Sequence, residues 1–198
     1  MTAQPQPQVG LSPEEYLARE RRAEIKSEYH DGEVFAMSGA SRAHNLIVTN
    51  FVRELSLRLR DRDCEVYPSD MRVKVDPTGL YTYPDVIVVC GEPAFEDEHI
   101  DTLLNPTLLI EVLSESTEAS DRGKKFEHYR KLETLQGVVL VTQDEAHAER
   151  FTRQPDGQWL LGEASGLEAA LHLASIDVTL PLADIYDKVL FDDEETEE

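Results

Sequence analysis

Two carboxylates stand where a charge is costly. Residues 107–114, TLLIEVLS, are an apolar run with one charge, Glu111, in its middle, and residues 83–90, YPDVIVVC, are a second run whose one charge is Asp85. An ionised side chain buried among Leu108, Leu109, Ile110, Val112 and Leu113 costs many kcal/mol unless it is neutralised, paired or bound to a metal. If the two runs are neighbouring strands, the acids lie side by side. At ~4 Å and an effective dielectric of about 20 they repel by roughly 4 kcal/mol, and a divalent cation between them reverses the sign. Oxygen donors of this kind suit Mg²⁺, with Mn²⁺ as the alternative ion, and the chemistry on offer is activation of water or stabilisation of developing negative charge. Each acid also has a plain structural reading: Asp85 as a turn cap after Pro84 or a partner of Arg72 or Lys74, and Glu111 as the ion-pair partner of Lys125.

Placing two acids in this way takes a sheet and helices to hold it. Ser12, Pro13 and Glu15 open a short helix in SPEEYLARERR, with Ser as N-cap and Glu at the third position. Residues 24–37, EIKSEYHDGEVFAM, hold two β-type runs that meet at Asp31-Gly32, a strong hairpin signal, with Glu28 on the first run and Glu33 on the second. By default these two acids are cross-strand hairpin charges. Residues 38–41, SGAS, end the strand and cap a long helix over about residues 42–60. There Leu46, Ile47, Phe51, Leu55 and Leu59 recur at helical spacing and must pack on a sheet. His44 lies in its first turn, where a local hydrogen bond is the ordinary expectation.

Residues 64–67 and 71–75 read as two extended pieces or one bent at Pro68, followed by a turn at 76–79 and the strand at 83–90. After a loop of about fifteen residues and the strand carrying Glu111, a polar connector (114–120) leads into a helix over about 121–133. Strands at 137–142, 148–152 and 159–161 and a short helix or turn at 180–186 complete the chain. This order predicts an α/β (α+β) domain over residues 11–190, helices flanking one central mixed sheet. Residues 1–10 read as a disordered head and 191–198 as an acidic disordered tail.

Composition narrows the function. The net charge of −21 opposes general affinity for polyanions, but residues 1–90 carry 11 basic and 14 acidic groups whereas residues 91–198 carry 8 and 26, so a nucleic-acid site would have to be local. No run approaches the ~18 apolar residues of a membrane span, and the head lacks the apolar centre of a signal peptide, so the chain reads as cytoplasmic. Cys64 and Cys90, far apart in sequence, then read as buried thiols rather than a disulfide.

Five motifs in order carry a resemblance: K-x-E-x-x-D-G-E (26–33), M-S-G-A with His44, Y-P-D-V, I-E-V-L-S, and D-R-G-K-K-F-x-x-Y (121–129). Together they resemble the Uma-type restriction endonucleases of the PD-(D/E)XK nuclease superfamily, over about residues 12–161. The resemblance implies a restriction-endonuclease-like core and a Mg²⁺-dependent endonuclease acting on DNA, with Asp85 and Glu111 as metal ligands and the Val112 main-chain carbonyl as a further donor. The superfamily places lysine two residues after the acid, where this chain has Leu113, and the Uma-type pattern implies a lysine from the next helix instead. Helical spacing puts Lys125 on a stripe with Tyr129 and Leu132 and Lys124 on the solvated side with His128 and Lys131, which selects Lys125. Glu28 matches a family acid, either completing the metal shell or aligning Lys125. A homodimer is expected by analogy. Two other readings stay open: a catalytically inactive nuclease-fold binding or regulatory module, and a metal-dependent hydrolase of another phosphoester.

Overall fold

The computed structural model describes residues 10–114 and 121–191. Most of the expected head, tail and polar connector lies outside the described residues. At the borders, Gly10 donates its N–H to the Gly32 carbonyl (3.0 Å), and the Phe191 ring packs on Tyr186 at 5.5 Å between centroids.

Helix α1 (Pro13–Glu20) begins with the expected capping box, in which Ser12 and Glu15 each accept the other's backbone N–H. The hairpin follows as β1 (Ser27–His30) and β2 (Glu33–Ala36). Its turn places Asp31 and Gly32 at φ 48° and 84°, the double left-handed turn for which Asp-Gly is suited. Helix α2 spans Arg42–Leu59 and starts at Ser41, whose hydroxyl accepts from the His44 N–H.

The strands then divide between two sheets, where a single central sheet is expected from the sequence. β3 (Cys64–Pro68), β6 (Val86–Cys90), β8 (Leu108–Val112), β9 (Gly137–Val141), β10 (His147–Arg153) and β11 (Trp159–Ser165) form a six-stranded mixed sheet in the order β11-β10-β9-β8-β6-β3. β4 (Arg72–Val75), β5 (Leu80–Thr82) and β7 (Thr102–Leu103) join the first hairpin in a five-stranded sheet in the order β2-β1-β5-β4-β7. The chain changes sheets after Pro68 and again at Tyr83-Pro84, because proline lacks the N–H that a continuing ladder needs. Asp85 therefore sits at the entrance of β6 and not inside a strand.

The turn Asp121–Lys125 is π-helical and runs into helix α3 (Phe126–Tyr129), shorter than the helix that the pattern predicts. β12 (Ala170–Leu173) and β13 (Val178–Pro181) form a hairpin that the sequence pattern does not reveal, and helix α4 (Leu182–Ile185) follows.

Alternation along the six-stranded sheet feeds two cores. Leu108, Ile110 and Val112 of β8 point to the side where Ile47, Phe51, Leu55 and Leu59 of α2 and Leu171 and Leu180 of the last hairpin pack. Leu109 and Leu113 point to the other side, against Val73 and Val75 of the five-stranded sheet and against Tyr129 and Leu132. Asn50 of α2 donates to the carbonyls of Ile185 (2.9 Å) and Asp187 (3.0 Å), which ties the terminal helix down. On the outer face of the five-stranded sheet, Tyr16 of α1 stacks on Tyr29 at 5.0 Å and meets Tyr81 at a tilt at 5.5 Å.

Cys64 and Cys90 are joined in a disulfide, which corrects the expectation of free thiols. Strand register is the reason: β3 and β6 are antiparallel neighbours and put these two residues directly opposite. With a sequence separation of 26, the bond restrains the unfolded chain enough to stabilise the fold by about 3 kcal/mol. Urea unfolding with and without a thiol reductant should show that loss, and should show none in the double Cys→Ser variant.

Candidate active site

The candidate residues arrive from separate parts of the chain and meet in one cleft of about 530 Å³, whose walls include Glu28, His44, Asp85, Glu111 and Lys125. The structure brings together the four side chains that the sequence selects. Glu28 comes from β1, Asp85 from the lead into β6, Glu111 from β8 and Lys125 from the π-helical turn.

Asp85 is nearly buried, and both oxygens are held. Oδ2 accepts the Val112 backbone N–H at 2.7 Å, and Oδ1 lies 3.1 Å from His44 Nε2. Its plain structural reading does not apply in the expected form. Arg72 is buried and binds Asp101 (3.1 Å) and the Tyr83 hydroxyl (2.8 Å), and Lys74 binds Glu96 (2.9 Å). Val112 meets Asp85 through its backbone N–H and is not among the residues that line the cleft.

Glu111, 4% exposed, accepts the Tyr129 hydroxyl at Oε1 (2.5 Å) and has Lys125 Nζ at 3.7 Å. Lys125 is closer to Glu28 Oε1, at 3.0 Å, and the Thr82 hydroxyl donates to that same oxygen at 2.5 Å. Lys124, by contrast, is exposed, as the helical spacing requires. Leu113, at the position where the superfamily has lysine, is 4% exposed and packs in the same core as Tyr129. A side chain there follows Glu111 to the same face of the strand, so apolar packing occupies the place, and the ammonium beside Glu111 is that of Lys125 in the π-helical turn. Glu33 pairs across the hairpin with His30, outside the cleft lining.

Sequence reasoning undervalued Tyr129 and His44. Tyr129 lies one helical turn beyond Lys125, a spacing that puts both on one stripe, but only the structure shows its hydroxyl on Glu111. His44 is 41 positions from Asp85, and no local spacing links them. Burial pushes the Tyr129 hydroxyl well above its ordinary pKa of 10.0, and the neighbouring Glu111 charge adds to this. The folded state keeps this proton while the unfolded phenol loses it, so the stabilisation is complete below about pH 10 and declines as pH rises further. Tyr16, Tyr81 and Tyr83 act in the same direction. Tyr129→Phe should cost about 2 kcal/mol at neutral pH through the lost bond to a carboxylate. It should also make the alkaline decline shallower, as read from urea midpoints at rising pH.

The donor set fits a hard divalent cation. Two carboxylates line one cleft, a main-chain carbonyl lies next in sequence to one of them, and Mg²⁺ takes one or two protein carboxylates while keeping waters for the rest. Among the described residues no three His, Cys, Asp or Glu side chains gather into a metal-binding group.

Comparison with known proteins identifies a family and a shared fold. Residues 13–183 match the family model Uma2, described as "Putative restriction endonuclease". Two uncharacterized proteins of Synechocystis are similar in sequence. One, sll1609, is 38% identical over 168 residues, covering 85% of this chain and 95% of its own length. The other, slr1290, is 36% identical over 181 residues, covering 91% and 94%. A crystal structure from Anabaena variabilis, described as a "putative nuclease belonging to DUF820", superposes with a TM-score of 0.75 at 19% identity and covers 91% of this chain and all of that one, which shows a shared fold. None of the described helices is long and apolar enough to cross a membrane. On its match over most of its length, the chain belongs to the Uma2 family of restriction-endonuclease-like proteins.

Proposed function

We propose that this protein hydrolyses phosphodiester bonds of DNA with Mg²⁺ held by Asp85 and Glu111. The observation that carries the reading is the meeting of Asp85, Glu111, Lys125 and Glu28 in one cleft, with Lys125 Nζ 3.0 Å from Glu28 and 3.7 Å from Glu111. When bound, the cation polarises the scissile phosphate and lowers the pKa of a coordinated water.

The chain's own groups do the rest. The Val112 N–H and His44 fix the Asp85 carboxylate so that its oxygens need not reorganise. The Tyr129 hydroxyl does the same for Glu111, and the Val112 carbonyl is a further oxygen donor. Lys125 orients the attacking water and offsets the charge that develops on the phosphoryl oxygens. Glu28 and Thr82 hold the ammonium in place. Cytoplasmic location and a homodimer belong to the same proposal.

One observation favours the second reading, a module that binds without cutting: Lys125 already satisfies Glu28 and Glu111 as an internal ion pair. Two measurements separate the readings. The nuclease nicks or cuts supercoiled plasmid with Mg²⁺ or Mn²⁺ and binds Mn²⁺ in calorimetry. A module without a site does neither, and its heat of Mn²⁺ titration matches that of the Asp85→Ala, Glu111→Ala double variant.

A further inference from the structure

We infer that the outer wall of the cleft seats one unpaired nucleotide, Phe35 stacking on its base and Lys26 meeting its phosphate, so that the substrate is single-stranded DNA or duplex DNA with an unpaired base beside the scissile bond. This rests on the nuclease reading above and names its substrate class.

Register on the first hairpin places the ring. Phe35 is directly opposite Glu28, so the two side chains share one face of the sheet, and both line the cleft. Lys26 precedes Glu28 by two residues and stands on that face as well, its carbonyl accepting the Met37 N–H at 2.9 Å. β2 is the outermost strand of its sheet, so among the described residues no further strand flanks Phe35 on that side. Phe35 is 47% exposed and is the sole aromatic ring among the strongly exposed large apolar side chains of the described residues. Tyr83, another ring on the cleft wall, is 6% exposed and committed to Arg72 and Glu20.

Charge and size argue against a bound duplex and for a single nucleotide. Duplex capture depends on a row of cations releasing counterions. In a chain of net charge −21, the cleft wall offers, among the described residues, only Lys26 and Lys125 as lysine or arginine side chains. Stacking of a base on an aromatic ring needs no such row. A cleft of about 530 Å³ has the capacity of an ordinary small-ligand site, which suits one nucleotide. Lys26 is held by the Ser69 carbonyl and by Asp70, both at 2.8 Å. Asp70 is 86% exposed, so this weak surface pair exchanges readily for a phosphate.

Fluorescence anisotropy with labelled oligothymidylate and with a blunt duplex of equal length, in Ca²⁺ to suppress cleavage, tests the seat. The wild type should bind the single strand more tightly. Phe35→Ala should lose about tenfold of that affinity, the size of one stacked base, and Phe35→Trp should restore it. Lys26→Gln should lower the slope of log affinity against log salt by about 0.7, one phosphate contact on a single strand. An unchanged affinity in Phe35→Ala, an equal loss on both ligands, or no oligothymidylate binding at all overturns the proposal. So does sedimentation showing that Phe35→Ala splits a dimer, because a second copy would then cover the ring. Plasmid cutting at an unchanged rate in Phe35→Ala removes the seat and leaves the nuclease. Phe35-dependent binding without cutting in any divalent ion removes the nuclease and leaves the seat.

Discussion

Asp85→Ala should abolish metal-dependent cutting of plasmid DNA, with a drop of about 10³-fold or more. Loss of one of two protein carboxylates removes several kcal/mol of stabilisation of the transition state, and about 4 kcal/mol corresponds to that factor. The fold should survive, because Asp85 lies outside the hydrophobic clusters at the entrance of β6. The variant leaves the Val112 N–H without its acceptor and His44 Nε2 without its partner, at a cost of about 1–3 kcal/mol. Asp85→Asn keeps an oxygen for the Val112 N–H and should recover part of that stability, yet it should still not cut or bind Mn²⁺ in calorimetry. If Asp85→Asn cuts at the wild-type rate, Asp85 holds the chain end of β8 and not a cation.

Lys125 variants should separate chemistry from packing. Lys125→Met removes the cation between Glu28 and Glu111, whose side chains are 19% and 5% exposed, and so leaves two carboxylates facing each other in a half-closed cleft. Stability should fall by about 3 kcal/mol, the size expected when one member of a buried ionic set is removed. Cutting should fall by about 10²–10⁴, the range for a positioned proton-transfer or charge-stabilising group. Lys125→Arg keeps the charge and most of the stability, but its planar fork places its donors elsewhere, so cutting should remain low. A Lys125→Arg protein that is both stable and fully active shows that only a positive charge is needed there. A Lys125→Met protein that is unstable yet fully active shows that the lysine is a structural counter-ion.

The parts of this molecule that were legible in the sequence are those whose signals are local. Ser12 with Glu15, Asp31 with Gly32, and the stripe from Ile47 to Leu59 each carry their geometry within a few residues, and each forms the element expected of it. Glu111 was conspicuous because an acid in an apolar strand has few tolerable fates, and Lys125 was separable from Lys124 by helical spacing. What was not legible depends on register and on contacts between distant segments. The Cys64–Cys90 bond exists because β3 and β6 align those residues, a fact set by pairing across the turn and the five-stranded sheet. The division into two sheets hinges on Pro68 and Pro84, either of which also fits a bend in a single strand. The last hairpin, with Leu171, Leu173, Val178 and Leu180 buried at alternate positions, turns at residues 174–177, ASID, without the glycine or proline that marks the first hairpin's turn. His44 and Tyr129 stand in recognisable motifs, but their contacts with Asp85 and Glu111 join segments that no local spacing links.

The site is assembled from four segments that share no local structure: the first hairpin, the lead into β6, the middle of β8 and the turn before α3. Glu28 and Lys125 stand 97 positions apart in the chain, yet they touch at 3.0 Å. No fragment that has formed only one sheet contains more than part of the constellation. A chain still emerging from the ribosome, or one partly unravelled by heat, therefore lacks the complete constellation. If the proposed cutting is the activity, completion of the fold is its arming step, and the active fraction of a preparation counts the molecules that have folded throughout.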